Sequence, residues 1–165
     1  MKLAHKAILG ACLLWLVPTA HAQFLDALRG HAQDLKARFE SNQTIQGITL
    51  KRGEIDTKAK GQDFLHSSSG QWSVIQVGNQ LFLQSGEDFR SSPGPDYHVY
   101  ISNKPAIKDN DEFSAAQIEV SRLKKPNGAA FYLLKTENME EVNSVLIWCK
   151  QFKEYIGSAD LTSIK

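Results

Sequence analysis

The sequence predicts a mainly β protein, an antiparallel β-sandwich or barrel-like domain preceded by an N-terminal amphipathic helix. Three observations carry that expectation. From Phe64 onward the chain is built of short β-rich runs. The runs are separated by Gly78-Asn79, by Pro93-Gly94-Pro95-Asp96 and by Lys125-Pro126-Asn127-Gly128, all with turn chemistry. The helical 3.6-residue period shows only upstream, over residues 24 to 40.

The N-terminus reads as a secretory signal peptide over residues 1–22. Lys2 and Lys6 precede an apolar run from Ala7 to Val17, and Ala20-His21-Ala22 offers the small-residue exit that signal peptidase accepts. The run is too short to span a bilayer. Cleavage near Ala22 places the mature chain in the periplasm or outside the cell and removes Cys12, leaving Cys149 as its single cysteine.

Residues 23–42 follow as the amphipathic helix. Phe24, Leu25, Leu28, Ala32, Leu35 and Phe39 recur at three- and four-residue steps with charged residues between them. Residues 43–60 read as a polar connector with one short strand, Gly47 to Leu50. The β domain proper spans residues 55–162. Trp72 to Val77 and Leu81 to Leu83 flank Gly78-Asn79 as a two-residue hairpin whose turn needs positive φ. Further strands are expected at Tyr97 to Ile101, Ile118 to Leu123 and Ala129 to Leu134, and the last strong one at Val145 to Lys150. Asp109 to Glu112 and Glu137 to Glu141 are polar insertions with room for one helical turn each.

Charge excludes some functions. The full chain carries 19 Lys and Arg against 18 Asp and Glu. Loss of Lys2 and Lys6 takes the basic count to 17 and the net charge to near −1. No field of that size gathers nucleic acid. No apolar stretch of the mature chain is long enough for a transmembrane helix.

Motifs narrow the chemistry further. Cys-x-x-Cys-His is absent, so any haem would be held without covalent attachment. No Cys/His spacing suits structural zinc, no Gly-x-Ser-x-Gly elbow marks a hydrolase, and Asp109, Asp111 and Glu112 lack the glycine and terminal glutamate of a calcium loop. Cys149 remains, in Val145-Leu146-Ile147-Trp148-Cys149-Lys150. Strand alternation puts Val145, Ile147 and Cys149 on one face and Leu146, Trp148 and Lys150 on the other. Cys149 is then either a small core hydrophobe or a thiol shielded for use. The functional reading requires its sulfur at the rim of the core, within reach of water or an imidazole. His98 and His66 are the candidate second ligands or bases, His98 sharing a face with Tyr100, and Trp148 is the candidate to shape the site. A lone strand histidine is more often a hydrogen-bonded surface residue than a ligand.

Three stretches occur in a telling order: His66-Ser67-Ser68-Ser69-Gly70-Gln71-Trp72, then Phe89 with Gly94-Pro95-Asp96-Tyr97-His98-Val99-Tyr100-Ile101-Ser102, then Ser144-Val145-Leu146-Ile147-Trp148-Cys149. With Phe152 and Ala159-Asp160-Leu161 they resemble the DM-thirteen domain family, whose members often accompany DOMON domains. The resemblance covers about residues 55 to 162, and Leu123 to Gly128 keeps the family's Gly-containing turn. It implies an extracytoplasmic β-rich domain in electron transfer, with Cys149 as its centre, either a free thiol or the ligand of a group such as haem or a metal ion. No redox domain accompanies this one in the sequence, so an electron partner would be a separate redox or envelope protein. The rival expectation is a noncatalytic envelope binding or structural module in which Cys149 is only core.

Overall fold

The computed structural model describes residues 47–165; the expected signal segment and the amphipathic helix at 24–40 lie outside the described residues. The described chain is β throughout, apart from two single 3₁₀ turns at Asn110–Glu112 and Met139–Glu141, where the two polar insertions were expected to hold a turn.

Eleven strands form in chain order: β1 (Ile48–Glu54), β2 (Ser68–Ser69), β3 (Gln71–Val77), β4 (Gln80–Ser85), β5 (Arg90–Ser91), β6 (Tyr97–Ser102), β7 (Ile118–Arg122), β8 (Phe131–Leu133), β9 (Ser144–Cys149), β10 (Glu154–Asp160) and β11 (Thr162–Ser163). One sheet runs β11-β1-β3-β4-β8, the other β10-β9-β6-β7, and β2 pairs with β5 in a short ladder of their own. Every pairing is antiparallel.

The hairpin between β3 and β4 forms as its turn residues demand. Val77 faces Gln80 across a two-residue loop, and Gly78 takes φ 58°, a value open to glycine at little cost. Period-two alternation then sends Trp72, Val74, Leu81 and Leu83 inward from one sheet and Val99, Ile101, Val145 and Ile147 inward from the other. These side chains form one core between the sheets, so the architecture is a sandwich.

A second, smaller cluster lies on the opposite face of the four-stranded sheet. Tyr100, Leu146, Trp148 and Tyr155 are covered there by Ala59, Ile107 and Phe113 from the loops. Phe113 stacks on Trp148 with ring centroids 4.3 Å apart and meets Tyr100 edge-on at 5.5 Å. Both faces of β9 are therefore dry, and all six of its residues are buried.

Two strands differ from expectation. β1 runs on to Glu54, through residues whose Lys51, Arg52 and Glu54 disguise it as connector. Lys51 is buried because its ammonium donates to the Met139 and Val142 carbonyls and to Asn143 Oδ1, at 2.9, 3.0 and 2.7 Å. A buried cation needs such acceptors. β10 and β11 follow the strand expected to be the last strong one, and β10 holds Gly157 and Ser158 where strand formers would be looked for.

Candidate functional site

β9 ends at Cys149, and its side chain points into the sandwich. The thiol is free and 1% exposed, among Val99, Ile147, Tyr97, Trp72 and the rest of the main core. It does not stand at the rim as the functional reading required. The strand reaches the rim, since Lys150 next in sequence is exposed and a turn with Lys153 at φ 54° follows. The side-chain direction set by alternation turns the sulfur inward all the same.

The nearest neighbours across the sheet are Tyr97 on β6 and Glu154 on β10, the register partners of Cys149. Directly opposed side chains of an antiparallel pair lie about 4.5–5.5 Å apart at Cβ. Tyr97 is also buried, with its hydroxyl 3.2 Å from Ser92 Oγ and donating to the Pro93 carbonyl at 3.3 Å. Burial pushes its phenol above the ordinary value; the hydrogen bond to Ser92 opposes this and charge on Cys149 adds to it. The Gly94-Pro95-Asp96-Tyr97 stretch has a packing reason: a Cβ on Gly94 would collide with the Tyr97 ring that covers it. Trp72 extends the aromatic wall of this core, edge-on to Phe89 at 5.1 Å and stacked on Tyr132 at 5.7 Å. Its indole Nε1 is buried with no hydrogen-bond partner among the described residues.

The histidines lie elsewhere. His98 alternates with inward-facing Tyr97 and Val99, and it sits opposite Trp148, so it belongs to the outer face of the four-stranded sheet. There it shares Glu119 with Tyr100, its expected companion. Its Nδ1 is 2.6 Å from Glu119 Oε1 and its Nε2 is 3.0 Å from Asp96 Oδ1. Lys150 Nζ reaches the other oxygen of Glu119 at 3.0 Å. The ammonium of Lys150 and, after it, the His98 ring hold the Glu119 carboxyl below the usual glutamate range against the opposing effect of desolvation. His66 lies in the loop before β2, its Nδ1 3.2 Å from Asp63 Oδ2 and its backbone N–H donating to Asp63 Oδ1 at 2.6 Å. Trp148 faces away from the thiol, against Phe113.

The structure therefore does not bring Cys149, His98, His66 and Trp148 together. The donor set does not fit a haem or metal at Cys149, because the imidazole nearest in sequence register is on the other side of the sheet with both nitrogens engaged. Asp96 and Glu119 approach opposite edges of the His98 ring and do not converge on a point. Among the described residues no group of three or more His, Cys, Asp and Glu side chains could hold a metal ion. The residues that do surround the thiol, Tyr97 above all, escaped sequence reasoning because strand pairing is not written in one sequence. Their signal was present only as the aromatics of Gln71-Trp72 and Asp96-Tyr97 inside the quoted motifs.

No curated protein and no solved structure matches the chain. Among the described residues no helix is long and apolar enough to cross a membrane. The family model described as Electron transfer DM13 matches residues 60–161, well over half of the sequence and the sandwich from the loop before β2 to the end of β10, with β1 and β11 outside the match, and the chain belongs to that family.

Proposed function

We propose that this chain is an exported, periplasmic or secreted, electron-transfer module whose redox group is the Cys149 thiol, kept out of solvent until the β9–β10 hairpin opens. Family membership supports the electron-transfer part. The single structural observation behind the gated form is that Cys149 is 1% exposed yet only one residue from the exposed turn Lys150–Lys153. The thiolate is the reactive form of cysteine, and it must reach its partner's sulfur to react. Cys149 closes β9 where the buried strand meets the exposed turn, and fraying from that end costs less than global unfolding and would admit water and a partner.

The chemistry is thiol–disulfide exchange with a separate protein. The Cys149 sulfur attacks one sulfur of a partner disulfide, a mixed disulfide forms, and the partner's other sulfur leaves as thiolate. A single thiol cannot resolve that bond itself. One thiol of a separate dithiol protein attacks the Cys149 sulfur and frees the partner's second thiolate; the other thiol of that dithiol then closes its own disulfide and returns Cys149 reduced. Two electrons thus pass from the dithiol to the partner's disulfide.

Alkylation of the native full chain, followed against pH and urea, tests this. Gated exchange predicts slow labelling whose rate depends weakly on urea, the mark of an opening that exposes little surface. Labelling that tracks global unfolding in its urea dependence would overturn it. Absorption and metal analysis of protein from its native compartment adds a second check, since a bound haem or stoichiometric metal would mean that the active group is not the bare thiol.

The sealed environment of Cys149, with no imidazole on its face of the sheet, favours a second reading: a noncatalytic envelope module in which the thiol is core packing. A Cys149→Ala variant that folds and complements a deletion strain would establish it.

A further inference from the structure

On one side of the sandwich the short β2–β5 ladder borders a cavity of about 400 Å³, lined by the runs Ser67–Ser69 and Arg90–Ser92 with Thr57 and Gln62. Its lining carries hydroxyls and an amide, one guanidinium and no carboxylate. The walls are fixed. Ser68 and Ser69 pair with Ser91 and Arg90. Ser92 N–H donates to the Ser67 carbonyl at 2.8 Å, and Ser67 N–H donates to Ser92 Oγ at 3.2 Å. Gln62 Nε2 donates to the Ser68 carbonyl at 3.0 Å, and Ser68 Oγ to the Ile156 carbonyl at 3.1 Å.

Arg90 is held in the same way. Its Nη1 donates to the Glu87 and Phe89 carbonyls at 2.8 and 2.6 Å. A guanidinium carries five N–H donors in a planar fork, so this anchoring leaves Nε and Nη2 without a partner among the described residues. Among the described residues no acid pairs with Arg90; Asp88, two residues before it, accepts from the Gln71 N–H, and Asp63, next to Gln62, is engaged by His66. Neutral carbonyls orient the cation without neutralising it.

We propose that this cavity is a binding site for a small oxyanion, a phosphate, sulfate or carboxylate, with Arg90 as its counter-ion and the Ser67, Ser69 and Thr57 hydroxyls as additional donors, the Ser68 and Ser91 hydroxyls being committed to the Ile156 and Ser92 carbonyls. A fixed guanidinium with free donors matches the paired oxygens of such groups, and charge-assisted bonds of this kind are the strong ones. Hydroxyls serve a tetrahedral or planar oxyanion equally well, and the lack of a carboxylate removes the repulsion that would expel it. A neutral polyol would leave the cation unanswered.

Titration of the full chain with inorganic phosphate, sulfate and acetate at constant ionic strength, read by calorimetry and by amide shifts, decides the matter. Saturable binding with a dissociation constant on the order of 1 mM is expected, with shifts centred on Ser67 to Ser69 and on Ser91. Arg90→Gln should weaken it about tenfold or more, Arg90→Lys should fall between, and Lys153→Gln in the exposed β9–β10 turn should leave it unchanged. Should Arg90→Gln fail to fold, the map of amide shifts on the unmodified chain still decides. No saturation by concentrations on the order of 100 mM, shifts that map elsewhere, or an affinity for glucose equal to that for phosphate would each overturn the oxyanion site.

Discussion

The two faces of the four-stranded sheet are made from the same stretches of sequence and have opposite physics. On the inner face Tyr97, Val99, Ile147 and Cys149 lie in a dry core that a second sheet seals. On the outer face the alternate residues His98, Tyr100, Trp148 and Lys150 combine a small aromatic cluster with a charged edge around Glu119. Cys149 has Trp148 and Lys150 as its sequence neighbours and shares a side-chain environment with neither. A motif that looks like one site when read along the chain is thus two half-motifs on opposite sides of a sheet. The period of two decides which residues can act together.

The largest expected test of this contrast breaks the inner face. Trp72→Ala should cost about 3–5 kcal/mol in urea unfolding, because Trp72 is fully buried between Phe89 and Tyr132 and its removal leaves a large void. Tyr132 gives the next effect, through pH. Burial pushes its phenol from the ordinary 10.0 to about 12. Its neutral form is favoured in the fold, so its stabilisation is complete below pH 10 and is lost as pH rises from there toward 12. That amounts to about 2–3 kcal/mol, which alkaline melts should show and Tyr132→Phe should abolish.

Cys149→Ser comes third. It places a hydroxyl where the thiol meets hydrocarbon, and about 1–3 kcal/mol of lost stability is expected, with Cys149→Ala costing less than Cys149→Ser if no polar partner exists there. The reverse order would show that the site is wetter than its burial indicates. The outer face should respond least. Glu119 is partly exposed, so Glu119→Gln should cost less than about 1 kcal/mol. Its carboxyl is held below the ordinary 4.5, so its contribution is present above that pH and fades as acid protonates it; the variant should flatten the acid limb of the stability curve. An acid limb unchanged in Glu119→Gln would mean that the charged edge is not coupled to folding.

Much of the fold was legible. The hairpin at Gly78-Asn79, the turn that launches β6, the strands β7 and β8 and the alternation within β9 all follow from turn chemistry and period-two patterning. β1 and β10 were harder for a shared reason. Each carries polar or small residues that are satisfied by distant groups, Lys51 by oxygens some 90 positions away and Ser158 by the Ile107 carbonyl. Such partners cannot be seen locally. At the candidate site, the sequence identified Cys149 and the face it shares with Val145 and Ile147. It could not say that Tyr97 would lie across from it, nor that His98 would be turned to the other side, because both depend on which strand pairs with β9 and in what register.

The edge strand pairing of β1 has a consequence for how the molecule comes together. Lys51 and Arg52 are matched with Ser163 and Thr162, and the Lys51 ammonium is anchored to the turn before β9. The opening strand of the sandwich is thus completed by its closing one, with most of the polypeptide as the intervening loop. Contacts this remote in sequence make folding slow, and β1 has only β3 to pair with before the C-terminus arrives. Until β11 is available, β1 stays an unfinished edge, and the sandwich is expected to assemble in one late cooperative event.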